Sequence, residues 1–346
     1  MTSMVTVPRS IAGRLRPRRL WTFVAGGLAL LFLVAVLTWH FGPWADSTFV
    51  ELRMPSPMDV PVSIAVTGAG AVWFTIDSSN AIGRLQDGKI EKVRKLTESL
   101  EPLGLAAEQD GSVWYTDAQA RVISRVTSDG TITAFDLATP VARLGRLAVA
   151  PDGAVWFAEP TLVSVTRLKD GVFTRHSVGR VAGAGDALVA PFGIAVDTQG
   201  TVWATLQSAN KLVRISTNGD MAAFEVPTLH SGPGDVAVDA AGAVWVLELS
   251  ANKVARFARG RFEEFAVPTP NAGLTALAVA PDGSAWFTEM RAHKLGRVRD
   301  GIVREFPLPR RDARPFGVAV DRANNVWYTD LSGWLGMFRA DRARNE

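Results

Sequence analysis

Cysteine is absent from this chain of 346 residues, and only four histidines occur in it. The protein therefore cannot form a disulfide, a thiolate metal site or a cysteine nucleophile. The sequence also contains no HExxH motif, no phosphate-binding loop and no Ser-His-Asp order of a catalytic triad. Catalysis or cofactor binding through any of these motifs is excluded.

Only the N-terminus has a surplus of positive charge, and the rest of the chain lacks one. Five arginines precede residue 20, and they account for the formal net charge of +3. From residue 51 onward, 32 basic residues are balanced by 33 acidic ones. Because nucleic-acid-binding domains normally present a basic surface, we expect no nucleic-acid partner for this part of the chain.

The N-terminal region contains one long stretch without charge. Residues 1–19 are basic, whereas residues 20–39 carry no charged side chain. A helix of this length spans about 30 Å, the thickness of the hydrocarbon core of a bilayer. Because the arginines favour the cytoplasmic side, we expect 20–39 to be a single uncleaved anchor in the cell membrane, 40–46 to be a linker, and the remainder to be extracytoplasmic. A cleaved signal peptide is the alternative.

Tryptophan recurs along the rest of the chain at a nearly constant spacing. Successive members are 41, 42, 47, 42, 41 and 41 residues apart. The recurring residues are Trp73, Trp114, Trp156, Trp203, Trp245, Trp286 and Trp327. A period of about 40–45 residues with several short strands per unit is typical of a β-propeller. The sequence therefore predicts an all-β domain of seven four-stranded blades over residues 47–340, followed by a tail at 341–346.

The last repeat lacks an outer strand of its own, because a polar tail follows Phe338. The segment from Phe49 to Met54 matches the pattern that ends other units, such as Phe262 to Val267. We expect this N-terminal segment to pair into the last blade and close the ring. Closure would remove an exposed sheet edge.

One interval, between Trp156 and Trp203, is about five residues longer than most of the others. The surplus lies within residues 176–190, which are rich in glycine and alanine. This segment is either a tolerated insertion or a mobile loop.

Acidic residues recur three positions after the repeated tryptophans, where we expect the strand ends to surround the central funnel. Five of the seven units carry one: Asp117, Glu159, Glu248, Glu289 and Asp330. Converging carboxylates could hold a hard cation through oxygen ligands. The alternative is that each acid caps a turn or pairs with a nearby arginine or lysine.

Arginines and aromatic residues are expected at the same end of the funnel. They lie near the starts of the predicted inner strands: Arg143, Arg146, Phe192, Arg314 and Phe316. Arginine combined with aromatic rings and carboxylates suits the floor of a small-ligand site. Charge-neutralised packing would explain the same residues without a ligand.

His293 is the best candidate for a general base. It follows Glu289 by four residues and falls in a loop on the funnel side, so the two form a candidate catalytic pair. His230, in the loop before Pro233, is the second candidate. The alternative is that each is a solvent-exposed loop histidine.

The repeated motifs resemble those of the virginiamycin B lyase family. The resemblance is carried by Gly193-Ile-Ala-Val-Asp, Trp286-Phe-Thr-Glu289 and Asn252-Lys253 with Arg256, and it covers about residues 47–340. It implies a seven-bladed propeller and a carbon-oxygen lyase. Enzymes of this family open the ring of a cyclic depsipeptide antibiotic by elimination, with Mg²⁺ and a histidine base.

The chain departs from the family at the positions of its functional residues. The resemblance places Thr275 and Phe316 where the family has histidines, Arg314 where it has a glutamate, and Asp330 near a second glutamate. Neither threonine nor phenylalanine is a base at neutral pH. We therefore expect a monomeric propeller that binds a small molecule, a glycan or an envelope protein on its funnel face. An active lyase of this type, or a metal-dependent hydrolase, is the alternative.

Overall fold

The computed structural model describes residues 47–77, 79–98, 102–137, 139, 143–182 and 190–339. The predicted membrane anchor at 20–39 and part of the predicted insertion lie outside these residues. Within them, no helix combines the length and the apolar character needed to cross a bilayer. Helical structure in this part of the chain is limited to a 3₁₀ turn, Pro160–Leu162, and a short helix α1, Gly179–Ala182.

The described residues form seven antiparallel sheets of four strands, here called blades 1 to 7. In blades 1 to 6, chain order runs from the innermost strand to the outermost. The strands of blades 1 to 3 are β2 (Val60–Val66), β3 (Val72–Asp77), β4 (Ala81–Gln86), β5 (Lys89–Arg94); β6 (Pro102–Ala107), β7 (Val113–Asp117), β8 (Val122–Val126), β9 (Ile132–Asp136); β10 (Leu147–Val149), β11 (Val155–Glu159), β12 (Ser164–Lys169) and β13 (Val172–Ser177).

The remaining blades repeat the same order. The strands of blades 4 to 6 are β14 (Pro191–Val196), β15 (Val202–Leu206), β16 (Lys211–Ile215), β17 (Met221–Glu225); β18 (Pro233–Val238), β19 (Val244–Glu248), β20 (Lys253–Ala258), β21 (Arg261–Ala266); β22 (Leu274–Val279), β23 (Ala285–Glu289), β24 (Lys294–Arg299) and β25 (Ile302–Pro307). The strands of blade 7, from the centre outward, are β26 (Pro315–Val320), β27 (Val326–Asp330), β28 (Trp334–Phe338) and β1 (Phe49–Arg53).

Blade 7 is completed by the beginning of the described chain. β1 pairs antiparallel with β28, from Phe49 opposite Phe338 to Arg53 opposite Trp334. The rings of Phe49 and Phe338 lie 4.9 Å apart, which adds an aromatic contact to the ladder. The prediction that an N-terminal outer strand closes the ring is confirmed, as are the number of blades and the number of strands in each.

The hydrophobic core lies between neighbouring blades. Trp286 on β23 is 1% exposed, and its ring centre is 5.3 Å from that of Phe306 in blade 6 and from that of Phe338 in blade 7. The repeated tryptophan therefore packs its own blade against the next one. This contact is needed once per blade, which is the physical reason for the period of the sequence.

A threonine two residues after most of the tryptophans links successive blades. Thr288 Oγ1 accepts the N–H of Ala276 in its own blade and donates to the carbonyl of Phe316 in blade 7. Equivalent bonds are made by Thr116, Thr205 and Thr329. In each of these four blades the hydroxyl stabilises a shift of register near the start of the inner strand.

Blade 3 departs from this pattern. Ala158 stands in the place of the threonine, and its carbonyl accepts the N–H of Gly145 directly. The inner strand β10 begins only at Leu147, whereas the sequence predicted its start near Arg143. The residues from Arg143 to Arg146 form an irregular segment at one end of the funnel.

Candidate functional site

The inner strands of all seven blades surround a narrow central channel. A cavity of about 150 Å³ in this channel is lined by residues from every blade. It adjoins a wider cavity of about 330 Å³ at the end where the inner strands begin. We call this wider cavity the mouth pocket, and its principal lining residues are Leu103, Arg143, Leu144, Arg146, Phe192 and Phe316.

The structure brings together four of the five residues that the sequence predicted for ligand binding. Arg143, Arg146, Phe192 and Phe316 all line the mouth pocket. Arg314 does not contribute to its lining. It immediately precedes β26, its side chain is exposed, and its backbone N–H donates to the carboxylate of Asp330.

Arg146 reaches across the channel from blade 3. Its guanidinium lies 3.1 Å from the carboxylate of Asp235 in blade 5 and donates to the carbonyl of Thr275 in blade 6. It also lies 5.7 Å from the ring centre of Phe192. Burial has the largest effect on the pKa of Asp235 and raises it, against the opposing influences of Arg146 and of the N–H of Leu277. Arg146 is thus held in place by protein groups.

Asp235 was missed by the analysis of the sequence. The third residue of most other inner strands is small, as at Gly193, Ala276 and Gly317. An aspartate at this crowded position is the signal that could have identified it. Its contact with Arg146 follows only from the closed ring, because blades 3 and 5 are not neighbours.

The five acids predicted to ligate a metal do not form one cluster at the funnel. All five are fully buried. Three of them are ion-paired to a lysine or an arginine, and the pairs are Asp117 with Lys95, Glu159 with Arg175 and Asp330 with Arg310. The other two, Glu248 and Glu289, have a different environment.

Glu248 and Glu289 each face a second glutamate. Burial, followed by the charge of Glu264, raises the pKa of Glu248 to about 7. Burial, followed by the charge of Glu305, raises the pKa of Glu289 to about 8. When protonated, Glu248 can donate a hydrogen bond to Glu264, and Glu289 can donate one to Glu305. Both side chains therefore keep a proton far above the pH at which an exposed glutamate loses it.

Magnesium needs several oxygen ligands that meet at one point. In the part of the chain that the structure describes, no three histidine, aspartate or glutamate side chains are grouped so as to hold a metal ion. As placed, the five acids do not fit a magnesium site. The use of Mg²⁺ stays an expectation that depends on the resemblance alone.

The structure does not bring His293 and Glu289 together as a catalytic pair. Nδ1 of His293 bonds to the carbonyl of Ala313, whereas Glu289 is buried beside Glu305. Because a carbonyl can only accept, Nδ1 carries the proton and Nε2 is left as the acceptor. His293 is otherwise exposed, and so is the second candidate, His230.

The positions that the resemblance equates with functional histidines have structural roles. The hydroxyl of Thr275 lies 2.7 Å from that of Thr288 and donates to the carbonyl of Phe316. Thr275 thus belongs to the bonds that join blade 6 to blade 7. The ring of Phe316 contributes to the wall of the mouth pocket. No proton acceptor for catalysis is provided by either side chain.

Comparison with known proteins gives a family match over almost the whole propeller. The model of the virginiamycin B lyase family matches residues 44–183 and 174–342. A curated virginiamycin B lyase from Nocardia farcinica (strain IFM 10152) is 35% identical over 174 residues. That alignment spans 50% of this chain and only 57% of the length of the curated relative.

Solved structures match over a larger share of their length. A catalytically inactive histidine-to-alanine variant of virginiamycin B lyase from Staphylococcus aureus, with quinupristin, is 29% identical with a TM-score of 0.77, over 84% of this chain and 98% of that chain. A streptogramin B lyase is 25% identical with a TM-score of 0.78, over 84% and 96% of the two chains. With the family match and the shared fold together, the chain belongs to the virginiamycin B lyase family.

Proposed function

We propose that this protein is a ligand-binding member of its family, which takes a small apolar molecule in the mouth pocket and does not open streptogramin rings. The mouth pocket carries the proposal. Its walls are mostly apolar, and two of its large side chains, Leu103 and Phe192, are 47% and 39% exposed. A ligand that covers them would remove apolar surface from water, which favours binding. Small-molecule pockets have volumes of about 300–1,000 Å³, and this one has about 330 Å³.

The proposed absence of ring opening follows from the chemistry of elimination. That reaction needs a base close to the proton that is removed. The hydroxyl of Thr275 is too weakly basic, and it is already bonded to the carbonyl of Phe316. The phenyl ring of Phe316 accepts no proton. Neither residue can replace the histidine that the resemblance implies.

The absence of ring opening is tested directly. The full-length protein, purified in mild detergent, is incubated with a type B streptogramin and Mg²⁺, and linear product is followed by mass spectrometry. The S. aureus virginiamycin B lyase serves as positive control. We expect no linear product above that of a sample without protein. Turnover that disappears in a His293→Ala variant would overturn this part of the proposal.

Ligand binding is tested with a neutral aromatic probe, 2-naphthamide, by isothermal titration calorimetry. We expect saturable binding that Phe192→Ala abolishes, because the exposed ring of Phe192 forms part of the pocket wall. Val172→Ala is the matched control, since Val172 is a 64% exposed apolar residue on the outer strand of blade 3. Loss of binding in both variants, or in neither, would contradict the assignment to the mouth pocket.

A second candidate is a lyase with a relocated base. The observation in its favour is the bond from His293 to the Ala313 carbonyl, which leaves Nε2 as an exposed proton acceptor. His293 lies in the turn between β23 and β24, on the same end of the propeller as the mouth pocket. The streptogramin assay with His293→Ala distinguishes this candidate from the first.

We also propose that residues 20–39 tether the protein to the cell membrane with the propeller outside. The support is the charge-free length of this segment and the arginines that precede it. The family match begins after it, at residue 44. Cell fractionation with alkaline extraction tests the proposal, and recovery of the protein in the soluble fraction would contradict it.

A further inference from the structure

The charge of the mouth pocket is not balanced by its own lining. Arg143 and Arg146 line the pocket, and none of its lining residues is an aspartate or a glutamate. Arg146 is compensated from below by Asp235, whose carboxylate lies 3.1 Å from the guanidinium. The pocket therefore contains one ion-paired arginine, Arg146, and a second arginine, Arg143, whose charge no lining residue balances.

Arg143 is that second arginine. Its side chain is exposed at the rim of the pocket, in the irregular segment before β10. Among the residues that the structure describes, none forms an ion pair with Arg143. A guanidinium beside an apolar cavity offers a fork of N–H donors to a planar anion.

The apolar part of the pocket lies within the same cavity. The guanidinium of Arg146 lies 5.7 Å from the ring centre of Phe192, and this cation–π contact helps to hold the ring in the wall. Leu103, from blade 2, completes the apolar wall with Phe316 from blade 7. The available volume is near the lower limit for ligand pockets, which favours a molecule of one or two rings over a whole cyclic peptide.

We propose that the ligand of the mouth pocket is a small apolar carboxylate, with its hydrophobic part against Phe192 and Leu103 and its carboxylate on Arg143. The inference rests on the proposed ligand-binding function and names the chemical class of its ligand. Among the described residues, Arg143 is the lining arginine without an ion-paired carboxylate, and its one guanidinium matches a single negative charge. A dianion such as phosphate would need more donors than this apolar cavity supplies.

The experiment compares 2-naphthoate with its neutral isostere 2-naphthamide on the full-length protein in detergent, by isothermal titration calorimetry. We expect the carboxylate to bind at least about tenfold more tightly, because only the carboxylate can form a bidentate ion pair with the guanidinium of Arg143. Arg143→Met should lower the affinity for naphthoate to that for the amide and leave the affinity for the amide unchanged. Arg143→Lys should retain part of the difference.

Arg322→Met is the matched control, because Arg322 is an exposed arginine in the turn between β26 and β27, at the opposite end of the propeller. It should change neither affinity. Equal binding of acid and amide, with both lost in Phe192→Ala, would refute the carboxylate assignment while the proposed function stands. Binding of neither probe would overturn both. An equal loss for acid and amide in Arg143→Met would show that Arg143 only packs against the ligand, which also refutes the assignment.

Discussion

Blades 3 and 7 bury a carboxylate at the end of their second strand, as blades 5 and 6 do, but neutralise it in a different way. In blade 3, Glu159 accepts a bond of 2.8 Å from Arg175. In blade 7, Arg310 lies between Asp330 and Glu51. In blades 5 and 6 the buried glutamate faces a second glutamate, and one lysine contacts only the outer member of the pair.

The difference between the two kinds of blade depends on two positions. On the outer strand, Arg175 of blade 3 has the place that Glu305 has in blade 6, opposite the third residue of the neighbouring strand. In the linker before β26, Arg310 contacts Glu51, the glutamate on the outer strand of blade 7. In the linker before β22, Thr269 contacts Glu305, the corresponding glutamate of blade 6. An arginine at either place supplies a positive charge that the glutamate pairs of blades 5 and 6 lack. Without it, the buried glutamate and its half-buried partner share too little positive charge for both to ionise.

The largest effect is expected where an arginine is removed from a buried pair. Arg310→Met would leave Asp330 and Glu51 close together without their cation, and Asp330 is fully buried. Breaking a buried ion pair by removing one partner typically costs about 3–5 kcal/mol. We expect a loss of this size in the free energy of unfolding at neutral pH, measured by urea denaturation of the full-length protein in detergent.

The neighbouring substitution Arg311→Met is the control for this prediction. Arg311 is exposed and has the same chemistry, so its replacement should change the free energy of unfolding by less than about 0.5 kcal/mol. If the two variants were equally stable, the arginine of blade 7 would not be what distinguishes it from blades 5 and 6.

An effect confined to a range of pH is expected in blade 6. The folded state raises the pKa of Glu289 from 4.5 to about 8, so between these values it holds a proton that the unfolded chain has released. The free energy of unfolding should therefore fall as pH rises through this window and level off above it, by at most about 1.4 kcal/mol per pH unit for each such group. Glu289→Gln mimics the protonated form and should reduce this fall.

The measurement is a series of urea titrations of the wild type and Glu289→Gln across the window in which Glu289 titrates. The variant should be the more stable of the two at the alkaline end. Glu225→Gln is the control, because Glu225 is on the outer strand of blade 4 with its side chain 76% exposed. If Glu289→Gln did not alter the pH dependence, ionisation of Glu289 beside Glu305 would not lower the free energy of unfolding.

The fold could be predicted from the sequence because it depends on local, repeated contacts. Each tryptophan packs its blade against the next, so the period of 41 to 47 residues gives the blades directly. The closure by Phe49 to Arg53 could be predicted because the missing strand and its substitute have the same pattern. The start of β10 at Leu147 could not, because Leu247 of blade 5 lacks the hydroxyl as Ala158 does, yet β18 begins regularly at Pro233.

The candidate site was predicted in part. Four of the residues predicted at the starts of the inner strands, Arg143, Arg146, Phe192 and Phe316, line one pocket, and their role as a ligand site stays a prediction. The bond from Arg146 to Asp235 crosses the ring, and no spacing in the sequence carries that information. For the buried acids, their position three residues after the repeated tryptophans identified Glu248 and the four equivalent residues, but it does not give the direction of their side chains. Their partners lie on the outer strands or in the linkers, and the pairing register is needed to find them.

The smallest effect concerns the threonine that blade 6 has in place of an arginine. The hydroxyl of Thr269 donates to Glu305 at 2.8 Å and accepts from Lys294 at 2.7 Å, and its backbone N–H also donates to Glu305. Thr269→Val keeps the shape and the backbone bond but removes the hydroxyl. Burial tends to raise the pKa of Glu305, and the bonds from Lys294 and Thr269 lower it, so the variant should hold Glu305 less firmly in its charged form.

We expect Thr269→Val to lower the free energy of unfolding by about 1 kcal/mol, the usual net contribution of one hydrogen bond. The loss should be larger above the pKa of Glu289, where both carboxylates are charged and depend on their donors, than in mild acid. Thr174→Val, at an exposed position on the outer strand of blade 3, should have little effect at either pH. A loss in Thr269→Val that is the same at both pH values would mean that the hydroxyl supports the linker alone, and that lysine by itself governs the charge of the pair.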